Sequence, residues 1–147
     1  MKRAMKTKEV KDLFDSFNLF ELDKKGKYEL VDETIIIMNN EPILFYLDGK
    51  LVPTLKLLQK SMVLKKITVD MGAVPFVIKG ADIMRPGIKS IDEGINKDDF
   101  VAIVDEKHGK PLGVGIALFS GEEMKSMTNG KSVKNIHYVG DKIWNSS

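Results

Sequence analysis

Apolar residues recur at helical spacing near the start of the chain. The positions i, i+3, i+4 and i+7 are all apolar: Val10, Leu13, Phe14 and Phe17. This spacing places them on one face of a helix. Thr7 is a suitable N-cap residue, and Glu9 lies near the positive end of the helix dipole. The pattern predicts an amphipathic helix that begins at about residue 7.

Two runs of β-branched and aromatic residues follow at positions 34–38 and 43–47, separated by the turn-prone residues 39–42. They predict a β-hairpin. Asp48-Gly49 is the next turn signal. Pro53 suits the first position of a helix, and the apolar face of this short basic helix would contain Leu55, Leu58 and Met62.

The pattern changes at about residue 66, where we place the boundary between two domains, residues 1–66 and 67–147. A short strand at residues 67–69 precedes Asp70, a suitable N-cap for a helix that would extend to about residue 79. Gly80 is well placed to end that helix, and the sequence Arg85-Pro86-Gly87 then predicts a tight turn.

The rest of the second domain is predicted to be mostly strands. Residues 100–104 and 112–119 form a hairpin with one buried face that contains Val114, Ile116 and Leu118. Gly113 and Gly115 weaken this strand unless a bulge or a close backbone approach requires them. Residues 120–123 match a capping box, so a short helix begins there and ends at residues 129–130. Two short strands around Gly140-Asp141 complete the chain, with Trp144 largely buried.

Composition indicates a folded chain without disulfides. The 147 residues are 43% hydrophobic and 30% charged, close to the averages of globular proteins. The apolar runs are far shorter than the roughly 20 residues that a membrane span requires, and no signal-peptide pattern follows the basic N-terminus. The absence of cysteine excludes disulfides, thiolate catalysis and cysteine-ligated zinc. We expect a cytoplasmic protein that does not associate with membranes.

Charge is unevenly distributed although the net charge is only +2. Lysines dominate residues 48–66 and 124–140, whereas acidic residues dominate 92–106. The net charge alone does not indicate a nucleic-acid ligand. For any one of these clusters, an ordinary solvated surface is about as good an explanation as a binding face.

Several partial matches to nucleotide-binding and metal-binding motifs lack a residue that the motif requires. Gly113-Val114-Gly115 begins a dinucleotide fingerprint, but Leu118 replaces the third glycine. Gly130-Lys131-Ser132 resembles the end of a phosphate-binding loop, but position 125 is lysine rather than glycine. The two histidines lack metal-ligand spacing. His108 is expected in an exposed loop, and His137 as a half-buried strand residue. We therefore expect no catalytic residues, no metal and no cofactor.

One segment combines features that suit a phosphate or an unpaired base. Residues 79–88 contain two glycines, a proline and a small alanine, so the backbone is little shielded beside Lys79, Arg85 and Lys89. Backbone amides can then donate to a ligand while the cations neutralise its charge. A glycine that caps a helix, followed by a turn, explains the same residues without any ligand.

The order of these motifs resembles a known family. The order is a helix, the sequence Gly80-Ala81-Asp82-Ile83-Met84-Arg85-Pro86-Gly87-Ile88, a hairpin, a capped helix and a closing strand at residues 135–139. This order resembles that of the PUA domain, the RNA-binding module named after pseudouridine synthases and archaeosine transglycosylase. The preceding segment 52–60 is similar to that of the malignant T-cell-amplified-sequence family of translation factors, which has yeast and archaeal relatives. The likeness covers about residues 34–145.

The resemblance implies an α+β fold, with a C-terminal PUA β-pseudobarrel behind a small α/β N-terminal domain. We expect the barrel to be closed by residues 67–69 and 136–144. The resemblance also implies a non-enzymatic factor that binds tRNA, small-subunit rRNA or both during initiation, re-initiation or recycling. Eukaryotic relatives work with a density-regulated protein that carries an initiation-factor-like domain, and the sequence leaves open whether this chain has such a partner. We expect a monomer.

Carried over to this sequence, the RNA-binding residues of PUA domains correspond to the glycine-containing loop and the neighbouring last strand. They are Lys79, Gly80, Ala81, Met84, Arg85, Pro86 and Gly87, with Lys131 and Lys134 added from the strand. Lys79 and Arg85 are expected as exposed cations. Two alternatives remain open: an RNA-binding accessory module for an RNA-modification or ribosome-biogenesis complex, and a protein-interaction scaffold whose loop is only structural.

Overall fold

A computed structural model describes residues 1–17 and 22–146 and places their strands in two sheets. The first sheet is antiparallel, contains five strands in the order β1-β2-β3-β4-β5, and packs against helix α1. In chain order these elements are β1 (Lys2–Ala4), α1 (Thr7–Ser16), β2 (Tyr28–Val31), β3 (Ile35–Met38), β4 (Glu41–Leu47) and β5 (Lys50–Pro53).

The second sheet contains six strands in the order β7-β11-β10-β9-β6-β8 and is mixed, because β6 and β9 run parallel. Helix α2 (Leu55–Lys60) connects the two sheets. The second sheet and its helices comprise β6 (Lys66–Val69), α3 (Val74–Val77), β7 (Ile83–Met84), a 3₁₀ turn (Arg85–Gly87), β8 (Ile88–Ile91), β9 (Phe100–Asp105), β10 (Pro111–Ala117), α4 (Gly121–Ser126) and β11 (Lys131–Tyr138).

Strand β3 shows how the core is shared between the two sheets. Successive strand residues point to opposite faces, and Ile36 packs under α1 whereas Ile35 and Ile37 pack on the other side. That other side also contains residues of α2 and of the second sheet, Ala102 and Val114 among them. The whole of β3 is therefore apolar, because both of its faces are buried.

The barrel is nearly closed, but not by the strands expected. Strand β6 pairs with β8 and β9, and β11 pairs with β7 and β10, so the expected contact between residues 67–69 and 136–144 is wrong. The edges of the sheet are β7 and β8. The 3₁₀ turn Arg85–Gly87 joins these two edge strands directly, and this curls the sheet toward closure.

The first two predicted helices are present, with N-cap residues other than those expected. The N-cap of α1 is Lys6 rather than Thr7, and the Glu9 carboxylate accepts the Lys6 amide at 2.8 Å. Pro53 does not open α2, because it pairs with Leu44 at the end of β5. Proline is tolerated in an edge strand. Thr54 caps the helix instead, and Met62 lies beyond its end and is exposed.

The predicted helix from Asp70 to residue 79 contains only one regular turn. Turns at residues 71–73 precede α3, and further turns follow it to residue 80. The Asp70 carboxylate still accepts the Ala73 amide at 2.9 Å, as an N-cap does. Gly72 and Pro75 both disfavour a longer helix, because glycine is flexible and proline lacks an amide hydrogen.

The two predicted hairpins and the capping box are confirmed. Strands β3 and β4 pair across a turn at Asn39-Asn40, and β9 pairs with β10. The Ser120 hydroxyl accepts the Glu123 amide, and the Glu123 carboxylate accepts the Ser120 amide. The helix ends at Ser126, earlier than expected. A Cβ atom at Gly115 would lie 2.8 Å from the Lys134 carbonyl, so β11 requires this glycine. A bulge also occurs there.

Two expectations for the end of the second domain are wrong. Strand β10 is covered on both faces rather than one, and Ile116 and Leu118 are only partly buried. After β11 the chain forms turns instead of a second short strand, because Asp141 accepts the amides of Tyr138 and Trp144. Trp144 packs against the core that the two sheets share. Within the described ranges 1–17 and 22–146, no helix is long and apolar enough to cross a bilayer.

Candidate nucleic-acid interface

The glycine-containing loop lies between α3 and the 3₁₀ turn. Gly80 has a φ of +92°, and its amide donates to the Val77 carbonyl at 3.0 Å while the Ala81 amide donates to the Phe76 carbonyl at 3.0 Å. This is the bonding expected where a left-handed glycine ends a helical turn. The predicted role of Gly80 as a helix terminator is confirmed.

Gly80 is also required by its neighbour across the fold. A Cβ atom at this position would lie 2.8 Å from Cε1 of Tyr138, so the tyrosine ring covers the glycine. Gly87 is less constrained, because a Cβ atom there would meet Ala73 at an ordinary 3.4 Å. The loop therefore depends on Gly80 much more strongly than on Gly87.

Asp82 and Asn135 fasten the loop to strand β11. The Asp82 carboxylate accepts the Asn135 amide at 2.9 Å and lies 2.9 Å from the Lys131 ammonium. The Asn135 side chain donates to the carbonyls of Val77 and Ala81, both at 3.1 Å. Together these bonds fix the backbone of the loop against the last strand.

The pKa of Asp82 lies below its ordinary value. Burial acts to raise this pKa, but the bonds from Lys131 and the Asn135 amide, with a further contribution from the charge of Lys134, outweigh it. Lys131 and Lys134 are thus both close enough to the loop to act on its carboxylate. Asp82 stays ionised at neutral pH and partly neutralises this basic face.

Arg85 is not the exposed cation that the sequence suggested. Its side chain is half-buried, with Nε donating to the Met124 carbonyl at 2.5 Å and Nη1 donating to the Ile88 carbonyl at 3.2 Å. Its backbone amide donates to the Gly130 carbonyl at 2.8 Å. Arg85 therefore holds the end of α4 against the loop, and the face loses one of its expected free charges.

The remaining predicted residues lie at the surface of the loop and of β11. Strands β7 and β11 pair so that Met84 lies opposite Lys131. The exposed side chains of this face are Lys79, Ala81, Met84, Pro86, Lys131 and Lys134. The structure thus brings the loop and the last strand together, with two lysines on the strand and one at the end of the helical turn.

Residues 65–139 match the family model of the PUA domain. This chain belongs to the PUA-domain family. The match begins at the start of β6 and ends just after β11, so it contains every residue of the face described above.

Relatives of this PUA protein extend over most of its length. An uncharacterized protein of Methanocaldococcus jannaschii is 50% identical over 94% of this chain and 87% of its own. Translation machinery-associated protein 20 of Saccharomyces cerevisiae is 32% identical over 100% of this chain and 88% of its own. Human malignant T-cell-amplified sequence 2 is 33% identical over 84% of this chain and 73% of its own. The resemblance to this translation-factor family is confirmed.

Solved structures agree with the fold. A hypothetical protein of Pyrococcus horikoshii is 38% identical, covers 98% of both chains and superposes with a TM-score of 0.79. A chain from an H/ACA RNP bound to a substrate RNA is 29% identical over 65% of this chain and 29% of its own, with a TM-score of 0.53. The PUA fold, α+β with a mixed sheet, is therefore shared with these proteins.

Exposed apolar side chains lie beside the loop of the PUA domain, and of these the prediction named Met84 alone. Phe76 is 63% exposed, Met84 is 50% exposed and Ile78 is 42% exposed. Phe76 and Met84 flank a groove of about 250 Å³ whose floor includes Val77 and Ile83. No sequence pattern distinguishes this surface, because an apolar run at residues 76–78 is equally typical of a buried helix face.

His137 is more deeply buried in the PUA domain than the sequence suggested. It is fully buried rather than half-buried, and its ring bridges the Asp141 carboxylate and the Leu55 amide. Burial acts to raise the pKa of Asp141, but His137 and the amides of Trp144 and Tyr138 outweigh it and lower the pKa. His108 lies in an exposed turn, as predicted. Among residues 1–17 and 22–146, no group of three or more metal-ligating side chains is placed to hold an ion.

Proposed function

We propose that this PUA protein is a non-enzymatic RNA-binding factor of the translation machinery. We propose that it acts on the small ribosomal subunit, on tRNA or on both, during initiation, re-initiation or recycling. The observation that carries this proposal is the exposed group of Lys79, Lys131 and Lys134 around the fixed backbone of Gly80 and Ala81. Relatives that match over most of the chain are named for the translation machinery.

The chemistry of the face suits RNA. Lysines neutralise phosphates and supply the salt-dependent part of the affinity, while an open backbone lets amides approach the ligand. The loop is held in place by Asp82, Asn135 and Arg85, so a ligand would not have to order it on binding. In this proposal the phosphates of the RNA are contacted by Lys79, Lys131 and Lys134. The surface between these lysines is provided by Gly80, Ala81, Met84, Pro86 and Gly87. Arg85 acts mainly by positioning this surface.

The proposal includes two domains, residues 1–66 and 67–147, with the first as a small N-terminal domain. The separate antiparallel sheet β1–β5 and its own helix α1 support this division. We also propose that the protein is a cytoplasmic monomer. A protein partner with an initiation-factor-like domain would be compatible with this proposal.

Co-sedimentation with small ribosomal subunits, together with tRNA binding over a salt series, tests the proposal. The double variant Lys79→Glu, Lys134→Glu should lose most of the binding and show a shallower dependence on salt, because each lost phosphate contact removes about 0.7–0.9 from the slope of log K against log salt. The matched control is Lys97→Glu, an exposed charge reversal in the acidic segment. Unchanged binding by the folded double variant would contradict the proposed face.

A second function is an accessory role in an RNA-modification or ribosome-biogenesis complex. The structural likeness to a chain of an H/ACA RNP favours it. This function requires a separate enzyme, because no catalytic group is identified in the described residues of this chain. Tagged protein that recovers small nucleolar-type guide RNA and an RNA-modifying enzyme, without sedimenting with ribosomal subunits, would favour this second function.

A further inference from the structure

His137 joins three segments of the chain that are distant in sequence. It lies near the end of β11, where it pairs with Val114 of β10, and its side chain is 0% exposed. Its Nδ1 atom lies 2.9 Å from an oxygen of Asp141 in the C-terminal turns. Its Nε2 atom accepts the Leu55 amide at the start of α2 at 3.1 Å. This ring therefore connects the last strand of the PUA domain with the helix that follows the first sheet.

The two hydrogen bonds define the protonation state of the ring. A backbone amide only donates, so Nε2 must present its lone pair to Leu55. The proton of the neutral ring then lies on Nδ1 and is donated to Asp141. Asp141 also accepts the amides of Tyr138 and Trp144, at 2.9 and 2.8 Å, so it is held in place independently of His137.

One added proton breaks only one of these two contacts and strengthens the other. Protonation at Nε2 turns an acceptor into a donor that faces the Leu55 amide, another donor, whereas the contact with Asp141 becomes an ion pair. The other groups around the ring provide no second acceptor: Phe45 of β4 contacts it edge-on at 5.6 Å. Lys56, the nearest cation of α2 in sequence, places its ammonium over the Trp144 ring instead. Among the charged groups in the described ranges, Asp141 is the one within ion-pair distance of His137.

We propose that His137 is a proton-sensitive latch, which holds the start of α2 against β11 while the ring is neutral and releases it when Nε2 is protonated. Release would break the bond between the start of α2 and the strand that also contains Lys131 and Lys134, while Leu55 and Leu58 stay packed in the shared core. The contact between α2, which connects the two sheets, and β11 would thus depend on the pH. This proposal stands on the geometry of the ring and does not require that the chain binds RNA.

NMR spectroscopy of the isotopically labelled full chain tests the latch directly. The ring nitrogens of His137 and the Leu55 amide are followed as the pH is lowered, with exposed His108 as an internal reference. We expect the coupling across the Leu55 hydrogen bond to be lost in proportion to protonated His137. A ring that protonates without any change at Leu55, or that stays neutral until the protein unfolds, would overturn the proposal.

Two substitutions separate the latch from simple packing. His137→Gln supplies an amide oxygen for Leu55 that does not titrate, so the acid-dependent change at Leu55 should disappear while the bond persists. His137→Phe keeps a ring beside Phe45 but removes both bonds, so Leu55 should be released at every pH. His108→Gln is the matched control and should behave as the parent. If His137→Phe does not fold, the parent titration and His137→Gln still decide the outcome, and an acid-dependent change that survives in His137→Gln would overturn the latch.

Discussion

Two loops of this protein, residues 79–87 and 105–110, share a glycine in the left-handed region and differ in how they are held. Each contains a glycine with positive φ, Gly80 at +92° and Gly109 at +64°, and each contains lysine. In the turn 105–110 the Asp105 carboxylate accepts the amides of His108 and Lys110. The bonds from Asp105 close that turn locally, and Glu106 adds bonds to Val69 and Met71. A Cβ atom at Gly109 would meet nothing within 4 Å.

The loop 79–87 is held instead by distant parts of the chain. The Asp82 carboxylate accepts the backbone amide of Asn135, 53 residues away. The Arg85 side chain donates to the carbonyl of Met124, 39 residues away. Tyr138 covers Gly80. The shape of the turn 105–110 is thus determined chiefly by local bonds, whereas the shape of the loop 79–87 depends on β11 and α4. A surface fixed in this way can present its exposed groups in one arrangement.

The largest expected effect separates the two glycines. Gly80→Val combines an unfavourable positive φ with a clash against Tyr138, so it should lower the free energy of unfolding by about 3 kcal/mol or more. Gly109→Val meets only the backbone penalty, of about 1–2 kcal/mol. Urea denaturation of both variants measures the difference. Equal losses would show that Tyr138 does not constrain the loop.

The next effect concerns Arg85 and its matched control, Lys110. Arg85→Met retains the aliphatic part but removes the bonds to the carbonyls of Met124 and Ile88, so we expect a loss of about 2 kcal/mol. Lys110→Met, at an exposed position of the turn 105–110, should change stability by less than about 0.5 kcal/mol. Thermal and urea unfolding provide the measurement. A neutral Arg85→Met variant would show that Arg85 is a free cation after all.

The carboxylates of the two loops should both contribute acid-sensitive stability. The pKa of Asp105 is lowered chiefly by the His108 amide, and that of Asp82 is lowered by Lys131 and Asn135 against the opposing effect of burial. A group whose pKa is lower in the folded state stabilises the fold above its unfolded pKa of about 3.9, and this contribution is lost as the pH falls through the folded value.

Unfolding measured between neutral pH and about pH 2 tests this expectation. The parent should lose stability below about pH 4, and Asp82→Asn and Asp105→Asn should each show a shallower decline. Because Asp82 fastens the loop to β11, only Asp82→Asn should also weaken the protection of the Asn135 amide from hydrogen exchange. If both variants lose stability with falling pH as steeply as the parent does, these carboxylates do not supply the acid-sensitive stability.

The contrast between the loops also explains which features the sequence could reveal. Gly80, the turn at Arg85-Pro86-Gly87 and the capping box at Ser120 are local signals, and each appears where it was predicted. The contacts of Arg85, the bond between Asp82 and Asn135, and the burial of His137 depend on which strands are neighbours. Hydrophobic periodicity does not contain that information. The predicted RNA-binding residues stay a prediction, although the structure removes Arg85 from the exposed cations.

The smallest effect on folding, and the sharpest test of function, is charge reversal at Lys79 compared with Lys107. Both lysines are exposed, so each change to glutamate should alter the free energy of unfolding by no more than about 0.5 kcal/mol. Their effects on RNA should differ, because Lys79 borders the proposed RNA-binding loop whereas Lys107 lies in the turn 105–110, outside it. Lys79→Glu should weaken tRNA or small-subunit binding and reduce the salt slope by about 0.7–0.9, whereas Lys107→Glu should leave the slope unchanged. A reduced slope for Lys107→Glu alone would place the RNA on the turn 105–110, and equal reductions would indicate a diffuse electrostatic attraction without a defined face.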